Sequence, residues 1–228
     1  MGKKIFSSYG TVIKSSHYNA PRLKLIDKAK KLLIGDEANG HYITVWASRQ
    51  SGKSTTLIDT QVAIKKTTDE FLVAGISVEG WGNNKTAIDI MNLMLNDINK
   101  YLRGNLKKNI PTVKSEKDFI NFFTSEYLHK KLILVIDEFD CLEENIIAEL
   151  AHVFRKIYLS MLNSDTPLNE KPLLHSLALI GIRSVLGIEN SKGSPFNVQN
   201  SLRIPHLTYD EVNKMFHEYI KEHNQIIE

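Results

Sequence analysis

The stretch Tyr42-Ile43-Thr44-Val45-Trp46-Ala47-Ser48-Arg49-Gln50-Ser51-Gly52-Lys53-Ser54-Thr55-Thr56-Leu57 limits what this chain can fold into more than any other. Tyr42 to Trp46 is apolar and β-branched, which predicts a short buried strand. A small, polar loop follows. Gly52-Lys53-Ser54-Thr55 then opens an amphipathic pattern of Leu57, Ile58, Val62 and Ile64, a helix ending near Lys66. A strand, a loop of small residues, Gly-Lys-Ser and a helix make up a phosphate-binding loop. Small residues let successive backbone N–H groups turn inward around a phosphate, and the helix N-terminus adds unpaired donors and the positive end of a dipole. Lys53 can reach β- and γ-phosphates, and the Ser54 hydroxyl can ligate Mg²⁺. The expected binding set is Ala47, Ser48, Arg49, Gln50, Ser51, Gly52, Lys53, Ser54 and Thr55. Ala47 stands where the motif has its first glycine; alanine is nearly as small, so tolerance is expected, with less backbone freedom at the loop's entry.

Around this loop the pattern alternates. Pro21 leads into a helix from roughly Arg22 to Ile34 with a stripe of Leu25, Ile26, Ala29, Leu32 and Leu33, closed by Gly35. Phe71 to Val78 is continuously apolar, as in a parallel strand covered on both faces. After a loop at Gly80-Trp81-Gly82-Asn83-Asn84, the residues Ala87, Ile90, Met91, Met94, Leu95, Ile98 and Leu102 recur at three-and-four spacing. Ser115-Glu116-Lys117-Asp118 resembles a capping box for a helix carrying Phe119, Phe122, Phe123 and Tyr127. Leu132 to Ile136 is the strongest strand signal, and Ile147, Leu150, Ala151, Phe154, Tyr158 and Met161 define a helix after it. Leu177 to Ile182 predicts a fourth strand, a Gly/Ser/Asn/Pro-rich loop covers 187–201, and Leu202 to Pro205 predicts an edge strand. Thr208-Tyr209-Asp210-Glu211 caps a last helix with Val212, Met215, Phe216, Tyr219 and Ile220. Residues 5–20 lack a helical period and predict an extended arm. Alternating strands and helices imply a parallel sheet with helices on both faces, whose ligands bind outside the strands' carboxyl ends. The loop, Asp137-Glu138 and Arg183 all fall on that rim.

Asp137 closes a buried strand, where its carboxylate can hold Mg²⁺ beside Ser54. Glu138 is placed to orient or deprotonate a water attacking a γ-phosphate. Asp140 suits a turn, Cys141 has no histidine base assigned to it, and the eight histidines show no metal-ligand spacing. Arg183, at the end of a strand, can stabilise γ-phosphate charge, whereas Arg49 is expected to contact a neighbouring loop or subunit. The catalytic set is therefore Glu138, Lys53 and Arg183, and the metal set Ser54 and Asp137.

Composition excludes several classes. A net charge of +3, from 29 basic against 26 acidic residues, is too mild to argue for nucleic acid, and the lysine pairs are scattered. One cysteine precludes an internal disulfide framework and fits a reducing compartment. No signal peptide or membrane-length apolar run is seen, so a cytoplasmic protein without a membrane partner is expected.

Gly52-Lys53-Ser54-Thr55, Ile136-Asp137-Glu138-Phe139-Asp140 and Gly181-Ile182-Arg183 together resemble the AAA-like and STAND-type P-loop ATPases of the additional-strand, catalytic-glutamate class. Phe6 to Arg22 is similar to the N-terminal arm of bacterial AAA-like ATP-binding proteins, and 193–198 with 207–212 to their segment around the fifth strand. The resemblance implies an α/β three-layer P-loop NTPase sandwich with sheet order 5-1-4-3-2, ATP with Mg²⁺, and Arg183 as a sensor arginine in cis. It also implies that His17-Tyr18-Asn19-Ala20-Pro21-Arg22 lies near the adenine. Such proteins usually continue into a helical lid or winged-helix segment. The expectation is one P-loop ATPase domain over 1–228, with an arm at 1–20, a lid absent or truncated, and a homo-oligomer or a separate effector domain or chain as partner. Three functions compete: an ATP-hydrolysing switch or motor module, a nucleotide-binding scaffold with little turnover, and a DNA-linked initiator-type ATPase. A small-molecule kinase fits less well, because the Asp-Glu pair favours water as nucleophile and no acceptor lid is evident.

Overall fold

The computed structural model describes residues 3–7, 12–35, 40–48, 50–82, 84–181 and 201–224. Helix α1 (Leu23–Ile34) precedes β1 (Tyr42–Trp46), α2 (Lys53–Thr67), β2 (Phe71–Ser77), α3 (Ala87–Leu102), α4 (Glu116–Phe122) and β3 (Lys131–Asp137). A 3-10 turn at Phe139–Cys141 leads to α5 (Glu144–Leu162), β4 (Leu174–Gly181), β5 (Ser201–Arg203) and α6 (Tyr209–His223). All strand pairs are parallel, in the order β2-β3-β4-β1-β5, which is 5-1-4-3-2 read from the other edge.

Alternation along the strands divides the core in two. Leu72, Ala74 and Ile76, Leu132, Leu134 and Ile136, and Leu177 and Leu179 face a large cluster with α3, α4 and α5. The intervening Val73, Ile133, Val135, Ala178 and Ile180 join Ile43 and Val45 against Ala29 and Leu33 of α1 and Leu57 and Ile64 of α2. Every apolar position read for α3 is buried, and its N-terminus carries a capping box of Thr86 and Asp89. The boxes at Ser115/Asp118 and Thr208/Glu211 are present as well.

The structure corrects some of the pattern. Ile58 and Val62 of α2 are exposed, at 48% and 45%. The buried face of that helix is instead Lys53, Thr56, Leu57, Thr60, Gln61 and Ile64. Thr56 and Thr60 hydroxyls donate to the carbonyls of Gly52 and Thr56, each at 2.8 Å, so these polar residues bury without an unsatisfied group. Helix α4 ends at Phe122, leaving Phe123 as its C-cap and Tyr127 in the following turn. The loop read at 187–201 lies outside the described residues except Ser201, which begins β5.

Candidate functional site

In β1 the alternation that buries Ile43 and Val45 also carries Ala47 into the same apolar cluster, 2% exposed and without a positive φ. The position of the motif's first glycine thus holds a methyl group that packs, at no backbone cost. The loop turns at Gln50 and Gly52, both left-handed, with φ of 56° and 77°. Nothing lies within 4 Å of where a Gly52 Cβ would sit, so glycine is called for there by its φ rather than by crowding. Gly52 is the N-cap of α2 and Lys53 its first residue, so the helix's unpaired N–H groups open towards the sheet rim. The Ser51 hydroxyl is buried without a hydrogen-bond partner among the described residues.

Strand β3 delivers the other half. Lys53 Nζ donates to Glu138 Oε1 at 3.0 Å, and Ser54 Oγ to Asp137 Oδ2 at 2.5 Å. The Glu138 N–H donates to Asp137 Oδ1 at 2.9 Å. Glu138 has a φ of 56°, unusual for a residue with a side chain, which turns the chain sharply from β3 into the 3-10 turn. Two residues distant in sequence from Lys53 and Ser54 thus meet them side by side; the sequence reading expected Asp137 beside Ser54 and made no pairing of Lys53 with Glu138. Ser54 and Asp137 contribute a hydroxyl and a carboxylate oxygen, the hard donors that suit Mg²⁺. Arg49 and Arg183 lie outside the described residues, and β4 ends at Gly181.

Asp140 does more than begin a turn. A Cβ on Gly181 would stand 2.8 Å from its carboxyl carbon, so the Asp140 side chain lies directly against the C-terminal end of β4. Glu138, Asp140 and Cys141 place their ligand atoms within 4.8 Å of one another. The Cys141 thiol is pushed up by burial and then by Glu138, Asp140 and Glu79, which keeps it protonated and unsuited to attack.

Beside the loop lies a cavity of about 610 Å³ lined by the arm (Phe6, Tyr18, Asn19), the loop (Gln50, Ser51, Gly52) and the β5–α6 side (His206, Leu207, Met215). Thr55, Thr56 and Asp59 of α2 complete the wall. Sequence reasoning missed Thr56, Asp59, His206 and Leu207; the signal for the first two was the polar face of a helix expected to be apolar. The segment 17–22 does come to this cavity, through Tyr18, Asn19, Ala20 and Arg22.

The arm is not merely extended. Ile5 forms an isolated parallel bridge with His17, and Phe6 packs on Tyr18, Phe216 and Tyr219 with ring centroids 4.9, 5.6 and 5.4 Å apart. The Tyr18 hydroxyl donates to the Glu222 carboxylate. Burial, then this bond, pushes Tyr18 up to about 12, and the bond holds Glu222 below its ordinary 4.5. The pair is strongest with Glu222 ionised and Tyr18 protonated. Its contribution is therefore present above pH 4.5 and lost as pH falls through the lowered Glu222 value. At the alkaline end it declines above pH 10, where a free tyrosine ionises but this one does not. NMR of the Phe6 and Phe216 rings checks this: their mutual shifts collapse in acid and as pH rises through about 12, and Tyr18→Phe removes the alkaline transition. Ring shifts of the parent that stay unchanged as pH rises through about 12, or an alkaline transition that persists in Tyr18→Phe, would contradict it.

No protein-family model matches the chain, and no curated protein matches it. Solved structures do. Cdc6p from Pyrobaculum aerophilum superposes with a TM-score of 0.61 at 14% identity, over 92% of this chain and 54% of that one. The Aeropyrum pernix ORC2 protein, solved as ADPNP–ADP complexes, gives 0.59 at 12% identity, over 89% and 52%. The Aeropyrum pernix ORC1 protein in complex with DNA gives 0.54 at 11%, over 88% and 49%. The chain spans about half the length of these structures. It shares with them an α/β P-loop NTPase-type fold. No described helix is long and apolar enough to cross a membrane.

Proposed function

We propose that this domain binds Mg-ATP and hydrolyses it, acting as a switch or motor module. The observation that carries the reading is the pairing of Lys53 with Glu138 and of Ser54 with Asp137 where α2 begins and β3 ends. In this reading the Gly52–Ser54 amides and Lys53 bind the β- and γ-phosphates, and the cavity beside the arm takes the base and ribose. Lys53 has three donors, so it can bond a phosphate while moving away from Glu138. That frees the Glu138 carboxylate to orient a water and accept its proton as the oxygen bonds to the γ-phosphorus and the bond from that phosphorus to the bridging oxygen breaks, releasing ADP. Ser54 and Asp137 would hold Mg²⁺, which when bound neutralises charge on the phosphate oxygens. The fit of these residues to a hard cation supports that assignment.

Phosphate release from ATP tests the reading. Turnover is expected to require Mg²⁺, and Asp137→Asn to raise the Mg²⁺ concentration needed for half-maximal rate by ~10-fold or more, as expected for loss of one charged oxygen from the metal's surroundings. An unchanged Mg²⁺ dependence would remove Asp137 from the metal set. A second reading, a DNA-linked initiator-type ATPase, is favoured by the likeness to the ORC1 protein solved with DNA. Duplex DNA added to the same assay separates the two: it alters the rate of a DNA-linked ATPase and leaves a switch driven by protein partners unaffected.

A further inference from the structure

Arg22 is 6% exposed and reaches three separate segments with one guanidinium. Nη1 donates to the Ser51 carbonyl at 3.1 Å, and Nη2 to the Pro205 carbonyl at 2.8 Å and more weakly to that of His206 at 3.4 Å. Nε faces Glu211 Oε1 at 3.5 Å, an ion pair without hydrogen-bond geometry. The other Glu211 oxygen accepts the Thr208 N–H at 2.9 Å, closing the capping box of α6. We propose that Arg22 is a positioning residue that couples the phosphate-binding loop to the first turn of α6. The inference rests on the nucleotide reading above.

The coupling follows from peptide geometry. A trans peptide points its C=O and N–H in opposite directions. Arg22 holds the Ser51 carbonyl, and so it also sets the direction of the Gly52 N–H, one of the amides offered to phosphate. An anion on that N–H polarises the same peptide and strengthens the Ser51 bond to Arg22, as linked hydrogen bonds do. The far side of the guanidinium then bears harder on Glu211 and on Pro205, the start of the segment into α6. Helix α6 has no buried residue. Its first turn therefore has little apolar packing of its own and follows Arg22, while its C-terminal half is held by the arm through Tyr18, Phe6 and Lys4. Only a planar fork with five donors spans these partners; a lysine ammonium is a point donor that holds one or two of them.

Hydrogen exchange of α6 in the full chain, with and without Mg-ATP, combined with calorimetric ATP affinity, tests the coupling. In the parent, ATP is expected to slow exchange in the first turn of α6 several-fold. Arg22→Ala is expected to weaken ATP binding by ~10-fold and, at saturating ATP, to abolish the slowing in α6; Arg22→Lys fails to restore it. Glu211→Gln keeps an oxygen for the Thr208 amide and loses only the charge facing Arg22. It is expected to retain most ATP affinity while losing most of the α6 response, which a purely structural role for Arg22 would not produce. Parental ATP affinity and α6 response in folded Arg22→Ala overturns the proposal. Should that variant not fold, a parental α6 response in Glu211→Gln overturns it. A parent that binds no ATP ends the nucleotide reading together with the coupling, whereas a parent that binds ATP without any change in α6 ends the coupling alone.

Discussion

Glu138→Gln binds Mg-ATP at least as tightly as the parent and loses turnover by ~10²-fold or more, the usual share of a general base. The amide keeps the size of the side chain and an oxygen for Lys53 but cannot take a proton. Losing its charge also removes a competitor for Lys53, whose ammonium the carboxylate now holds at 3.0 Å. Affinity therefore holds or rises while the chemical step stalls, a split that distinguishes a base from a binding residue. Single-turnover phosphate release beside an affinity measurement reads both. Hydrolysis at the parental rate would assign the base elsewhere on the rim.

Lys53→Ala gives the opposite split. Removing the buried Lys53 ammonium deletes charge-assisted hydrogen bonds to phosphate and weakens Mg-ATP binding by ~10- to 100-fold. The fold survives, because Glu138 is partly open to solvent and water can take the place of the ammonium. Equilibrium dialysis with labelled ATP, alongside far-UV circular dichroism, checks both halves. A folded variant with parental affinity would place the phosphates away from α2.

What was readable from sequence was what apolar periodicity or a phosphate motif writes down. The stripe of α3 buries residue for residue as its spacing dictates, because every buried side chain of that helix is apolar. Helix α2 was misread for the opposite reason. Thr56, Thr60 and Gln61 are buried by returning hydroxyls to the backbone and by a bond from Tyr101 to Gln61, and no hydropathy pattern records such pairings. Strand β4 starts at Leu174 rather than Leu177 because His175 and Ser176 bury against the Ile34 and Leu33 carbonyls of α1. Polar letters hid a strand whose partners come from a distant helix end. The site was legible in part: the motifs put Ser54 beside Asp137, whereas the ion pair of Lys53 with Glu138 is written in no spacing. Arg22 was not legible either, since its role depends on carbonyls of Ser51, Pro205 and His206, which any sequence possesses. The packing of Asp140 against Gly181 was equally silent, being a contact between the 3-10 turn and the end of β4.

In the proposed function, the rim formed by α2 and β3 recognises the β- and γ-phosphates of a nucleotide. Calorimetric titration of the full chain with ATP and with AMP, in Mg²⁺ and in EDTA, tests it most directly, because AMP lacks the groups assigned to Lys53 and Ser54. The expected result is saturable one-to-one binding of ATP, at least ~10-fold tighter than AMP and weakened by EDTA. Equal affinity for ATP and AMP, or no saturable binding of ATP at all, would contradict it.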